Sequence, residues 1–532
     1  MKLASSVLRV AGLAVALSAL SGPVLAQKSG GILKFYLRNT PPSGSVHEEA
    51  TIDTATPYSA MFNNLIMFDQ HKPTNSMDTI VPDLAESWSW DDTGTKLTFK
   101  LRQGVQWHDG KPFTAKDVEC TWNLILGNSK ARLRKNPRKS WYKNLEKITT
   151  NGDYEATFHL GRPQPAFPML LASGYSPVYP CHVSPKDMRT NPIGTGPFKF
   201  VELKQNEHVK FTKNENYWKK GLPYLDGVEW TIIKSRSTRI LAFVAGEFDA
   251  TYNVDVTIPL LKDVKEQAPN AVCEVRATNV SYNLIVNQDK PPFDNAQIRK
   301  AMVYSIDRQA FIDILSQGQG IVGGAMLPPP DGVWGMPPEV LKDVAGYGPD
   351  IEANRAEGRK IMESLGYGPD NRLKIKLSTR NLATYRDPAV ILIDHLKEIY
   401  IDAELETIEN SNWHATVARK DYSIGMNATG SGVDDPDSNF FENYACDSQR
   451  NYTGYCNKEL EKMFVQQSME SDVEKRKALV WEIDKRLQED AARPIIWHNK
   501  AATCWHPYVK NFTTMTNSIY NGWRLEDVWM DK

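Results

Sequence analysis

Residues 96–125 spell out a strand, a turn and a capped helix in succession, and nothing else in the sequence limits the fold as tightly. Leu97, Phe99 and Leu101 alternate with Thr98, Lys100 and Arg102, the period of two that sets one face of a strand against a core. Asp109-Gly110 supplies the turn, and Thr114-Ala115-Lys116-Asp117 forms a capping box. Val118, Trp122 and Ile125 then recur at helical spacing, so the helix has one buried face. Similar patterns trade places along the whole chain. Strands are predicted at 31–37, 154–160 and 228–234, with helices at 58–67 and 239–246. A single amphipathic helix is predicted at 297–315, with Ile298, Met302, Ile306, Ala310 and Ile314 along one stripe. Residues 372–379, 388–400 and 401–408 read as a β-α-β unit, 459–489 as predominantly helical, and the tail from Ala501 as irregular with strand pieces. Pro-rich residues 163–185 read as a connection between lobes or an irregular cover. The fold class is therefore α/β, with mixed sheets and flanking helices. A chain of 532 residues exceeds what one core supports, so two or three domains are expected.

The first residues carry an export pattern. Lys2 and Arg9 precede the small and apolar run from Val10 to Leu20, Ser21-Gly22-Pro23 breaks it, and Val24-Leu25-Ala26 sets up cleavage before Gln27. The apolar run is too short for a bilayer, which needs about 20 residues. The first cysteine is Cys120, so no lipid-bearing cysteine follows the cleavage point, and a periplasmic location is expected. In that oxidising compartment the six cysteines are free to pair. Cys446 and Cys456, which close a short polar loop, are the best pair, whereas Cys120, in a helix, reads as a buried free thiol. The 63 basic and 64 acidic side chains balance, which gives no electrostatic reason to expect nucleic acid or an anionic membrane as partner.

Catalytic and metal signatures are missing from the sequence. There is no G-x-S-x-G elbow, and His47-Glu48-Glu49-Ala50-Thr51 places Thr where a zinc-protease helix needs its second His. The ten histidines are scattered, with His498 and His506 the nearest to a cluster. Asp434, Asp435 and Asp437 lack the remainder of a calcium loop and read as a turn or a helix N-cap before Pro436. The basic stretch 130–143 reads as a solvated surface. No cofactor, metal or catalytic residue is expected; a secreted hydrolase is the competing class.

A long run does carry a positive signal. From Pro82-Asp83-Leu84-Ala85-Glu86-Ser87-Trp88, through 97–102, to 104–118 (Gly-Val-Gln-Trp-His-Asp-Gly-Lys-Pro-Phe-Thr-Ala-Lys-Asp-Val), the sequence resembles the peptide/nickel/opine class of solute-binding proteins of ABC importers. Gly194-Thr195-Gly196-Pro197-Phe198, residues 299–308 and Tyr452-Thr453-Gly454-Tyr455-Cys456 extend the resemblance over nearly the whole chain. The resemblance implies a two-lobed, flytrap-like (class II, cluster C) periplasmic binding protein with an extra domain. It divides the chain into a first domain (27–75, 191–285 and 501–532), a family-specific domain (76–190) and a third domain (286–500). It also implies a monomer that captures a small solute and delivers it to membrane permease subunits without altering it.

The same resemblance implies ligand contacts at Thr51 and Asp53, at Arg380, at Trp413, along Asn427, Thr429, Ser431 and Gly432, and at Trp497 and His498. Arg380 offers a bidentate grip for a carboxylate or phosphate, or else pairs with Asp387 at the surface. The sequence also departs from the family. Peptide-binding relatives carry Gly-Trp-x-x-Asp before the proline matching Pro436, and its aspartate grips a free α-amino group. Here the stretch is Ala428-Thr429-Gly430-Ser431-Gly432, with neither Trp nor Asp. A solute other than an ordinary peptide is expected, unless Asp434 or Asp435 replaces the anchor; a di- or oligopeptide is the alternative. Tyr400 stands where relatives have Gly between helix and strand.

Overall fold

The computed structural model describes residues 27–532; the predicted export segment, 1–26, lies outside the described residues. Leu97, Phe99 and Leu101 are buried along the strand Lys96–Leu101, as their alternation requires. The helix Ala115–Leu126 starts on the predicted box, with the Thr114 amide donating to Asp117 Oδ2 at 3.0 Å. Its last turn ends at Gly127, whose φ of +83° is a left-handed conformation that glycine adopts without strain.

Three large sheets organise the molecule. One pairs Ile32–Leu37 in parallel with Gly227–Ile232, then adds His208–Lys213 and Phe198–Lys204 antiparallel. A second, antiparallel throughout, orders Ala85–Trp90, Lys96–Leu101, Glu155–Leu160 and Leu145–Thr150. The third runs Ile401–Ile408, Leu373–Arg380, Ile424–Gly430, Val272–Val286 and Ile495–Trp505. Phe35, Trp230, Phe99 and Trp122 belong to one core that unites the first two sheets. Leu284, Met302, Leu377, Leu392 and Ile401 belong to a separate core under the third. Two bodies, each with its own core, give the two-lobed α/β architecture.

The connection between the bodies is itself a pair of strands. Val272–Val286 and Ile495–Trp505 run antiparallel from one body into the other, and their register slips between Ala277 and Ser281. Asn279, inside the slip, has a φ of +51°. Such an irregularity bends and twists a ladder where a regular one would stay stiff.

Several elements differ from the sequence prediction. The expected helix at 58–67 is absent: Ile52–Tyr58 is helical and Ile66–Phe68 is a strand paired with Ile80–Pro82. Nearly every residue from 52 to 68 is buried, so the apolar run has no period from which to read its type. The helix expected at 297–315 is two, Ala296–Ser305 and Arg308–Ser316, because Asp307 caps the second through the Ala310 amide at 3.0 Å. Asp472 divides 459–489 in the same way, into Lys458–Met469 and Val473–Glu489. The irregular tail predicted from Ala501 begins inside the continuous strand Ile495–Trp505, and 163–185 contains the helix Phe167–Ala172. The β-α-β unit is present, its helix Ala383–Lys397 starting ahead of Pro388. Tyr400 adopts a φ of +66°, and its hydroxyl donates to Glu363 at 2.9 Å.

Cys446 and Cys456 are bonded, and so are Cys120–Cys181 and Cys273–Cys504. The free thiol expected at Cys120 is therefore a correction. The Cys181 amide donates to Asp117 Oδ1 at 2.9 Å, which brings Cys181 against the helix that carries Cys120. Replacing Cys446 and Cys456 together by serine is expected to cost about 2–3 kcal/mol, from the entropy of the freed loop. The midpoint of urea unfolding measures it. Among the described residues, no helix is long and apolar enough to cross a membrane, and no cluster of three His, Cys, Asp or Glu residues is placed to hold a metal.

Candidate functional site

A cavity of about 60 Å³ lies between the two bodies. Arg38, Thr51, Ile52, Val254 and Tyr520 line it from one side; Tyr282, Arg380, Thr384, Tyr385, His414, Gly430, Arg450 and Asn499 from the other. Two of the cationic side chains are delivered by strand ends and the third by a loop. Arg38 follows the strand Ile32–Leu37, Arg380 ends the strand Leu373–Arg380, and Arg450 sits in the loop closed by Cys446–Cys456.

The three arginines differ in how they are compensated. Arg38 Nε donates to Asp53 Oδ1 at 3.2 Å, and Arg450 is ion-paired with Glu442. Arg380 has no carboxylate partner. Its Nη1 donates to the Tyr385 hydroxyl at 2.9 Å and its Nη2 to Asn427 Oδ1 at 3.2 Å, while Nε has no partner. The guanidinium sits over the Tyr385 ring at 4.5 Å and the Trp413 ring at 5.6 Å, and the residue is only 6% exposed. The alternative surface pair with Asp387 does not form. His414 is held neutral: burial first, then the charges of Arg380 and Arg450, push its pKa well below the ordinary histidine value. No Asp or Glu lines the cavity.

The predicted contact residues other than Gly432 divide into three groups. Thr51 and Arg380 line the cavity. Asp53, Trp413, Asn427 and Trp497 stand one layer behind. Asp53 neutralises Arg38, Asn427 and Trp413 hold Arg380, and Trp497 stacks on Tyr282 with ring centroids 4.0 Å apart. Thr429, Ser431 and His498 instead face a smaller chamber of about 10 Å³, on the other face of the strand that turns Ala428 and Gly430 to the cleft. Sequence reasoning missed Arg38, Tyr282, Tyr385, His414, Arg450 and Tyr520. Arg38, directly after a predicted strand, had a positional signal; Tyr520, in a tail without regular structure, had none.

Gly430 and Gly432 are filled from across the cleft. A Cβ on Gly432 would collide with the Trp141 ring, and one on Gly430 with the Tyr520 hydroxyl. The Trp141 indole donates to the Ser438 carbonyl at 3.0 Å, and Ser518 Oγ donates to the Gly432 carbonyl at 3.0 Å. The bodies are closed on each other here. The basic stretch 130–143, expected to be solvated, takes part in that closure: Arg138 and Trp141 are buried, and Lys143 pairs with Asp447 at 2.9 Å. The stretch is otherwise solvated as expected: Lys130, Arg132, Arg134, Lys135, Lys139 and Lys143 are exposed, while Arg138, Trp141 and Tyr142 pack inward.

Neither neighbouring aspartate replaces the absent anchor. Asp435 caps the helix Pro436–Asn443 and takes a two-pronged ion pair from Arg476, both prongs at 2.8 Å. Asp434 accepts from the Val333 amide at 3.1 Å and from Asn517 Nδ2 at 3.2 Å. Neither lines the cavity. Burial raises the Asp434 carboxyl to about 7. A raised pKa means the closed protein binds this proton more tightly than the unfolded chain does. The stability it contributes is complete below about pH 4 and lost as pH rises through about 7. Asp434→Asn is therefore expected to be the more stable protein at pH 8, by on the order of 1–3 kcal/mol, with the advantage gone at pH 4. Thermal unfolding of both proteins at the two pH values checks this.

The family model described as bacterial extracellular solute-binding proteins, family 5 Middle, matches residues 79–451. A probable di/tripeptide-binding protein 5 of Pseudomonas aeruginosa is 24% identical over 473 residues, covering 81% of this chain and 83% of the relative. Heme-binding protein A of Haemophilus influenzae is 29% identical over 350 residues, covering 60% and 59%. Among solved structures, the Helicobacter pylori periplasmic binding protein DppA in complex with the peptide STSA superposes with a TM-score of 0.82 at 22% identity, covering 95% and 99%. The binding protein AgaA of A. tumefaciens R10 in complex with agropinic acid superposes at 0.80 and 21%, covering 94% and 99%. With two bodies shut over a polar cavity, and a family match across most of its length, the chain belongs to the bacterial extracellular solute-binding proteins of family 5, receptors of ABC importers.

Proposed function

We propose that this receptor works outside the cytoplasmic membrane, as a monomer, and captures a small anionic solute that has no free ammonium group. The observation that supports this reading is the cavity wall: three arginines, one of them without a carboxylate, and no acid at all. Shutting the lobes without a solute buries the Arg380 charge uncompensated, at a cost of several kcal/mol. An anion on Arg380 removes that cost in the closed form alone, and only such differential binding shifts a conformational equilibrium. Moving it from 1:99 to 99:1 takes about 5.5 kcal/mol. The lobes divide at 27–75, 191–285 and 501–532 for the first, with 76–190 packed on it, and 286–500 for the second; the slipped strands act as the hinge. The closed form then docks on permease subunits and releases the solute unchanged.

A di- or oligopeptide is the second reading, carried by the names of the relatives. It lacks a counter-charge for the peptide's ammonium, since Gly432 stands at the anchor position under Trp141. Native mass spectrometry of the purified protein tests the choice. The expected co-purified species is a small acid; a peptide with a free N-terminus would overturn the proposal.

A further inference from the structure

The small chamber behind the strand Ile424–Gly430 has one charged residue in its wall, Arg493, and no carboxylate. Arg493 is 1% exposed. Its Nη1 donates to Thr429 Oγ1 at 3.2 Å and to Asn443 Oδ1 at 2.9 Å, its Nη2 to the Arg450 carbonyl at 3.0 Å, and its Nε has no partner. All three acceptors are neutral. Glu442, the chain neighbour of Asn443, is ion-paired with Arg450. A guanidinium does not shed its proton inside a protein, so the charge persists in a site where an unpaired ion is costly. Most of the remaining wall is polar, including Ser431, Thr429, Asn439 and His498, the last with an unpartnered Nδ1, while Ala325 and Ile495 are apolar.

We propose that this chamber is a binding site for a small inorganic anion of the chloride class, seated against Arg493. The solute cavity opens on the opposite face of the same strand, so the two sites are separate, and the proposal stands whatever the solute is. The chamber's volume of about 10 Å³ is that of a single small guest, so the ion takes the place of one water and sits there without water around it. Its function is to neutralise Arg493 and so to hold the backbone of Arg450, which reaches the solute cavity from the other side.

Crystals of the full chain grown in sodium bromide, measured at the bromine absorption edge, test this directly. The expected result is an anomalous peak in the chamber beside Arg493; no peak there overturns the proposal. Thermal unfolding in sodium chloride against sodium gluconate, at equal ionic strength, is the second measurement. The melting temperature is expected to rise saturably with chloride, and the rise to disappear in Arg493→Gln. No chloride-specific rise in the parent, or an undiminished rise in the variant, also overturns it. If Arg493→Gln does not fold, the bromide experiment decides alone.

Discussion

Arg380→Ala lowers affinity for the captured anion on the order of 10²–10³-fold, the largest effect expected of any single substitution in the cleft. Truncating one member of a buried, hydrogen-bonded charge pair typically costs about 2–5 kcal/mol. Arg380 fits that case: it is buried, and the groups that hold it, Tyr385 and Asn427, are neutral, so on the proposed function its opposite charge comes from the solute. Arg380→Lys keeps the charge and loses the planar fork, so an intermediate loss is expected. Because the solute-free closed state no longer buries an unpaired cation, Arg380→Ala is also expected to unfold at an equal or higher temperature than the parent in the absence of solute. Isothermal titration and thermal unfolding of the three proteins check both halves; equal affinities would end the role given to Arg380.

The second large effect is at Gly432. Gly432→Asp places a side chain where the Trp141 ring already sits. Either the ring moves, opening the contact between Trp141 and the segment around Gly432, or the closed form is lost. Overpacking costs about 1–3 kcal/mol, and a carboxylate forced into the interface adds a desolvation penalty of several more. Solute affinity is expected to fall at least 100-fold, and no peptide binding is expected to appear. A Gly432→Asp protein that closed normally and acquired affinity for a free α-amino group would show that the cleft is a peptide site missing one residue.

Elements with a clear period were legible in the sequence, and those defined by long-range packing were not. Lys96–Leu101 and the helix after Thr114 follow from alternation and a capping box within a few residues. The run 52–68 is buried on all sides, so local pattern does not separate helix from strand there. The site divides in the same way. Arg380 was visible because it ends a readable strand, and the missing anchor because it breaks a family pattern. What fills the vacated space was invisible: Trp141 and Tyr520 arrive from segments 291 and 90 residues away from Gly432 and Gly430 (432 − 141 and 520 − 430), and only the closed fold brings them there. The same limit hid the distinction between Thr51, which faces the cavity, and Thr429, which faces the chamber behind the strand.

Small-angle X-ray scattering of the parent and Arg380→Ala, each with and without the co-purified solute, bears most directly on capture by closure. The radius of gyration of the parent is expected to shrink when the solute is added. That of Arg380→Ala is expected to stay unchanged at the same concentration. A parent whose scattering curve ignores the solute, or a variant that contracts as fully as the parent, would contradict closure driven by an anion on Arg380.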